Sequence, residues 1–188
     1  MTPGAGDHSD RGLRARLWRG LGAPLMRRSP HFAYGFRRRL LRAFGMRLAG
    51  SVKVRRSVRI ERPWLVSAGH LAIIGDDAWL VGSEPITIGE RCVVSQLAML
   101  VTAMVDPAAP VDAAAPRVRR GPVVVEDDAW VAADSVVLPG AIVREGAVIG
   151  ARGTVETEAP AWRVCTGRPA TPRGVRELRP VGAAEGAP

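Results

Sequence analysis

Histidine, cysteine and carboxylate side chains are where a chain could move a proton or attack a carbonyl carbon, and this one has few of them in useful places. Its three histidines, His8, His31 and His70, lie far apart in sequence. Imidazole matters because its pKa lies near the operating pH of most enzymes. The two cysteines, Cys92 and Cys165, are isolated from each other. They make neither a disulfide framework nor a metal cluster, and they fit a reduced, cytoplasmic setting. Asp106 stands directly before Pro107. A solvated carboxylate is a weak base near its reference pKa, and only desolvation would raise it into a useful range. The plainer reading of Asp106 is a turn residue. Arg152, Arg163, Arg168 and Arg173 cluster towards the C-terminal end. Arginine pairs well with phosphate oxygens, although solvated surface is the ordinary alternative.

The elements that must position such groups are set by a six-residue period. Val125, Val131, Val137, Val143, Ile149 and Val155 stand six apart, and four residues after each of the first five comes Ala129, Ser135, Ala141, Ala147 or Gly153. A helix repeats near 3.6 residues and a strand near 2, so neither alone sustains this spacing. A period of six marks a parallel β-helix, with the aliphatic residue inward and the small one at the bend. Irregular hexads begin near Val52 and Val58, sharpen at Ile74 and Leu80, and resume two residues out of step at Ile88, Val94 and Leu100. The two extra residues around Pro85 imply a bulge or small excursion. The spacing therefore predicts coils over 51–166, interrupted by a loop over 103–122 whose Ala, Pro, Asp and Arg carry no period. Interrupting loops tend to carry binding residues. Cys92 falls on a small-residue position of its hexad and reads as core.

Residues 1–28, rich in Gly, Arg and Pro, read as a basic segment that is mobile or only partly helical, and 167–188 as a tail that frays. Between them, 29–47 reads as an amphipathic helix. Ser29-Pro30 suits its start, Phe32, Phe36, Leu40, Leu41 and Phe44 form its apolar stripe, and Gly45 can close it. Arg37, Arg38, Arg39 and Arg42 then fall mainly on the other face. Such a helix could lid the open end of the solenoid, touch an anionic membrane surface, or both. No apolar run is long enough to span a bilayer, and the polar N-terminus does not read as a signal peptide. The expectation is a cytoplasmic protein, with peripheral contact at the inner face of the membrane left open by the basic helix. The net charge is +9, yet aromatic residues make up only 5%. Nucleic-acid binding needs a basic stripe joined to a recognition fold or stacking aromatics, and neither is evident.

Several segments in order resemble the hexapeptide-repeat acyltransferases, in particular the colanic-acid-type O-acetyltransferases of exopolysaccharide biosynthesis. They are Arg37-Arg38-Arg39-Leu40-Leu41, Pro85-Ile86-Thr87-Ile88-Gly89, Ser95-Gln96, the run from Glu126 to Asp134, Leu138-Pro139-Gly140 and Gly167-Arg168-Pro169-Ala170. The resemblance covers roughly 29–172. It implies a left-handed parallel β-helix with about three hexads per coil, assembled as a homotrimer with sites between subunits. It also implies acetyl-CoA as co-substrate in a groove between coils, a glycan or glycolipid acceptor, and no metal. Trp130, Ala132, Ala133, Gly150, Ala151 and Arg168 match groove positions, although small residues at Ala132-Ala133 and Gly150-Ala151 also suit plain coil geometry, and Trp130 could equally form a subunit contact.

This chain departs from the pattern at its reactive centre. The family's loop opens with Thr, two small residues, His and Asp, the histidine taking the proton from the acceptor hydroxyl. Here the loop reads Thr102-Ala103-Met104-Val105-Asp106, so Val105 occupies the general-base position and Asp106 is the remaining candidate. His70, in an apparent insertion, is either a relocated base or a surface or packing histidine. Gly82 stands near a position where the family carries a polar acceptor contact, and Glu156-Thr157 replaces a Thr-Lys pair near the CoA phosphates. Two expectations follow: an O-acyltransferase acting on a glycan, glycolipid or small-molecule hydroxyl with weakened or rearranged proton transfer, or a non-catalytic scaffold or glycan-binding relative.

Overall fold

The computed structural model describes residues 12–108 and 117–178. Three parallel sheets form the faces of a solenoid. The first stacks Arg47–Leu48, Val66–Ala68, Ile86–Ile88, Val123–Val125, Ile142–Val143 and Glu158–Ala159, about six turns in all. The second stacks Lys53–Val54, Ile73–Ile74, Val93–Val94, Trp130–Val131, Val148–Ile149 and Arg163–Thr166. The third stacks Arg59–Ile60, Trp79–Val81, Met99–Val101, Val136–Val137 and Thr154–Val155. The chain visits the three faces in turn and returns to the first one coil farther on, the expected all-β parallel β-helix.

The ladder from Val125 to Val155 points inward throughout, and Ala129, Ser135, Ala141, Ala147 and Gly153 are buried at the bends. A Cβ at Gly153 would come within 2.9 Å of the Gly150 carbonyl, so the bend leaves room for little. In this half the step is 18, as in Val125↔Val143, Val131↔Ile149 and Val137↔Val155, and it shortens in the last coil, where Val143 stacks on Ala159 and Ile149 on Cys165. In the first coils the step is 20, as in Lys53↔Ile73 and Ile73↔Val93. The additional residues sit at the corner between third and first sheets, as a 3-10 turn at Pro63–Leu65 and as the Gly82–Glu84 bend before Pro85.

Of residues 1–28, read as mobile or only partly helical, the described part is helical. Helix α1 (Leu13–Leu17) runs through a π-turn (Trp18–Gly22) into α2 (Ala23–Arg28), and only 1–11 fall outside the described residues. Ala15, Trp18, Gly22 and Met26, spaced by three and four, form its buried face. A Cβ at Gly22 would collide with the rings of Trp18 and Phe44, which pack edge to face at 5.1 Å. Helix α3 (Tyr34–Ala43) follows, shorter than the expected 29–47, since Arg47–Leu48 is already the first strand. Ser29 does not cap it. Its hydroxyl donates to the Met26 carbonyl at the end of α2 and accepts from Arg37, while α3 starts without a side-chain cap. Gly45, at φ +89°, closes α3, and the Met46 N–H reaches back to the Leu41 carbonyl.

The faces of α3 are also not those the stripe suggested. Phe32 is 81% exposed and Phe36 is exposed too, whereas Leu41 and Arg37 are fully buried. The reason is the open end of the first coil, whose carbonyls have no coil beneath them. Arg42 donates to Leu48, Arg38 to Val52, Arg37 to Val54 and the Trp18 indole to Ile60. Arg37 also donates to Ser29 Oγ and to the carbonyls of Pro30 and His31. Backbone acceptors left buried and unpaired are costly, and a guanidinium offers five donors on a long stem.

The tail differs as well. Thr171–Val175 forms a strand antiparallel to Arg163–Thr166, extending the second sheet, and Arg176 donates to the carbonyls of Asp128 and Gly146. Residues 179–188 lie outside the described residues.

Candidate active site

The loop leaves the solenoid at the corner between third and first sheets. Ala103–Val105 and Val118–Arg120 pair antiparallel as a hairpin, with Val105 opposite Val118. Val105 is 59% exposed, an apolar side chain presented to solvent. Thr102, buried at the base of the hairpin, accepts the Glu84 N–H at 3.0 Å. Gly82 sits one coil earlier at φ +124°, and a Cβ there would strike Thr102 Oγ1 and approach the Ala103 nitrogen to 2.8 Å. Its N–H donates to Glu61 Oε2. Glycine at this position is thus demanded by the close approach of the loop base.

Asp106 is half-buried and holds a turn. Its Oδ1 accepts the Ala108 N–H at 3.0 Å while its own N–H donates to the Arg117 carbonyl. This is an Asx turn running into Pro107. His70 lies at another corner, between first and second sheets, where Nδ1 accepts the Ser51 N–H at 3.3 Å. His31 packs against Tyr34 near the N-terminal lid, and His8 lies outside the described residues.

The groove positions gather at the third corner, between second and third sheets. Ala132-Ala133, Gly150-Ala151 and Gly167-Arg168 occupy it on successive coils. Their backbone is largely paired along the solenoid: Ala132 N–H to Ile149, Gly150 N–H to Cys165, Arg152 N–H to the Ala133 carbonyl, and Ser135 Oγ to the Gly150 carbonyl. What the corner offers is therefore a wall of little side-chain relief. A Cβ at Gly150 would approach Thr166 Cγ2 to 2.7 Å. Trp130 flanks the wall, 45% exposed, with its indole N–H donating to Ser95 Oγ at 2.8 Å. Ser95 is thus a positioning residue for the ring. Its adjacency to Trp130 across coils follows from Val94 stacking on Val131.

Arg152 and Arg168 belong to this corner. Arg168 is exposed and donates from Nε to the Arg152 carbonyl at 2.7 Å, and Arg152 pairs with Asp134. Arg163 opens the last coil strand and Arg173 lies in the antiparallel strand after it. Glu156-Thr157 follow the Thr154–Val155 strand, at the loop's corner rather than the groove's.

Other parts of the resembling segments prove structural. Glu126 pairs with Arg144, Asp127 accepts the Glu90 N–H, and Asp128 meets Arg91 through two hydrogen bonds. The Arg91 guanidinium holds the Asp128 carboxyl below the usual range. Cys92 is buried with Sγ 2.8 Å from the Glu126 carbonyl, and burial pushes its thiol up to about 11. Burial likewise raises Cys165. Both cysteines are buried, Cys92 as its hexad position suggested. Within one chain, then, Val105 and Asp106 stand at one corner of the prism and the groove residues at another.

Six-residue repeats stacked into coils, with a hairpin at one corner and a small-residue wall at a second, define a hexapeptide-repeat parallel β-helix. The chain is 37% identical over 97 residues to the putative colanic acid biosynthesis acetyltransferase WcaF of Escherichia coli K12, and equally to that of Shigella flexneri. The match covers 52% of this chain and 53% of those proteins, so the chain spans about half the length of the curated relatives it matches. No family model matches it. A hexapeptide-repeat acetyltransferase from Vibrio cholerae complexed with acetyl coenzyme A superposes with a TM-score of 0.80 at 21% identity, covering 94% of each chain. A galactoside acetyltransferase in complex with coenzyme A gives 0.76 at 16% identity, covering 94% of this chain and 86% of that one. At these identities the structural likeness is one of fold. Together the matches bear out the resemblance read from the sequence.

Proposed function

We propose that this protein is an acyl-CoA-dependent O-acyltransferase, with acetyl as the donor group and a hydroxyl of a glycan or glycolipid as the acceptor. The observation that carries this reading is the wall of Ala132, Ala133, Gly150 and Ala151 on successive coils, flanked by Trp130 fixed to Ser95. A flat wall with its backbone already paired suits the extended pantetheine arm, and Arg168 at its end suits the CoA phosphates. The hairpin and the wall occupy different corners, so a complete site requires a neighbouring copy, and we take the working form to be a homotrimer. The buried thiols suit a reducing, cytoplasmic setting.

Acyl transfer needs the acceptor oxygen to lose its proton as it attacks the thioester carbon. Val105 cannot take it, and Asp106 already accepts a backbone N–H within its own turn. Positioning of donor and acceptor remains, and general-base catalysis is worth about 10²–10⁴-fold, so slow turnover is the expected state of this chain. The exposed Val105 favours a second reading, a CoA- or glycan-binding scaffold that has ceased to turn over. Titration with acetyl-CoA tests the first reading: absence of binding at millimolar concentration would refute it. If CoA binds, Val105→His separates the two readings. Measurable wild-type transfer that rises about 10²-fold or more in the variant identifies a slowed enzyme. Transfer present only in the variant identifies the scaffold.

A further inference from the structure

The N-terminal third carries the protein's positive charge. Residues 11–60 hold fifteen Arg and Lys and no Asp or Glu, whereas 61–188 hold twelve basic and sixteen acidic residues. Part of this charge is spent on the open coil end, through Arg37, Arg38 and Arg42. Arg16, Arg27, Arg28 and Arg39 are exposed, and their side chains make no hydrogen bond or ion pair among the described residues.

Beside them runs an apolar stripe with no partner in the fold. Leu13, Leu17, Leu21 and Leu25 are all exposed, four residues apart along α1, the π-turn and α2. In an α-helix residues four apart drift by about 40° per step. The wider π-turn takes back part of that drift, which keeps the leucines together. The turn and α3 add exposed Phe32 and Phe36. A cleft of about 490 Å³ between α2 and the first coil is lined by Arg19, Arg27, Arg28 and Trp18, with Glu61 as its acidic member.

We propose that this helical hairpin docks on an anionic lipid bilayer, its leucines in the acyl boundary and its free arginines among the headgroup phosphates. An apolar stripe with an arginine rim is the pattern of a helix lying in a membrane interface. A second copy of the same face is disfavoured as occupant, because Arg16, Arg27, Arg28 and Arg39 would meet like charges. The proposal is independent of the catalytic reading. A glycolipid acceptor would find the enzyme already at its surface.

The protein is tested by flotation with vesicles of phosphatidylcholine alone or mixed equally with phosphatidylglycerol. Binding is expected only to the anionic vesicles and is expected to weaken as salt is raised. The double variant Leu17→Glu/Leu21→Glu should lose binding by about tenfold or more, with its circular dichroism and thermal midpoint unchanged because both residues are exposed. Three results would each overturn the proposal. They are equal binding to neutral vesicles, binding by the double variant like wild type, and no vesicle binding by wild type with a smaller oligomer in the variant, which would make the stripe a contact between copies.

Discussion

At the scale of single residues, Arg37 and Val105 contradict what their types suggest, one a buried cation and the other an exposed aliphatic. Arg37 fills four acceptors beneath the first coil, so Arg37→Met should destabilise the protein by about 3 kcal/mol or more, since each buried acceptor left unpaired costs about 1–3 kcal/mol. Arg37→Lys should recover little of it, having no fork of donors; denaturant unfolding measures both. Gly82 is just as tightly constrained. Gly82→Asn should lower the thermal midpoint through both its positive φ and the collision with Thr102. Cys92 supplies a pH signature. A thiol raised to about 11 in the fold but ordinary when unfolded keeps its stabilising contribution below about pH 8.5 and loses it as pH rises towards 11. The thermal midpoint should fall over that window, and less so in Cys92→Ala. In the native protein neither Cys92 nor Cys165 should react with a thiol reagent until the chain is unfolded.

At the scale of elements, the coils were legible and their fittings were not. A six-residue period reports inward residues directly, because every hexad repeats the same decision between core and solvent. It does not report what lies under the first coil. Arg37, Arg38 and Arg42 look like a solvated helix face until the carbonyls of Leu48, Val52 and Val54 are seen beneath them. The leucine stripe of α1 and α2 was hidden for a related reason: glycines and a proline lowered the helical signal, while the π-turn and the packing of Trp18 on Phe44 restore the helix by tertiary contact. The groove residues could be placed by counting, since residues 18 apart stack and Ala132 must lie over Gly150. The roles of Asp127 and Asp128 as corner fasteners could not, because nothing in an acidic run distinguishes ligand from lattice. Gly22→Leu should therefore detach the hairpin without unravelling the coils, seen as loss of protection in hydrogen exchange confined to 12–44.

At the scale of the whole molecule, hairpin and wall stand at different corners, so the proposed transfer requires residues from two copies of the chain. A chain carrying both Val105→His and Ala132→Trp should be inactive, its wall blocked. Mixed with wild type and reassembled, it should give transfer above the wild-type level, because the new histidine of one copy then faces the intact wall of another. Absence of any gain on mixing would place both parts of the site within one chain. The stopper formed by α3 and the Trp18 indole has a further meaning. A β-helix is a template that would accept another coil of the same kind, from the same chain or a foreign one, and grow without limit into a fibre. By supplying four non-strand donors to the first coil, the lid occupies the acceptors on which a further coil would grow. Loss of those donors should convert the protein into a nucleus for filaments, visible as a lag phase that shortens when preformed fragments are added.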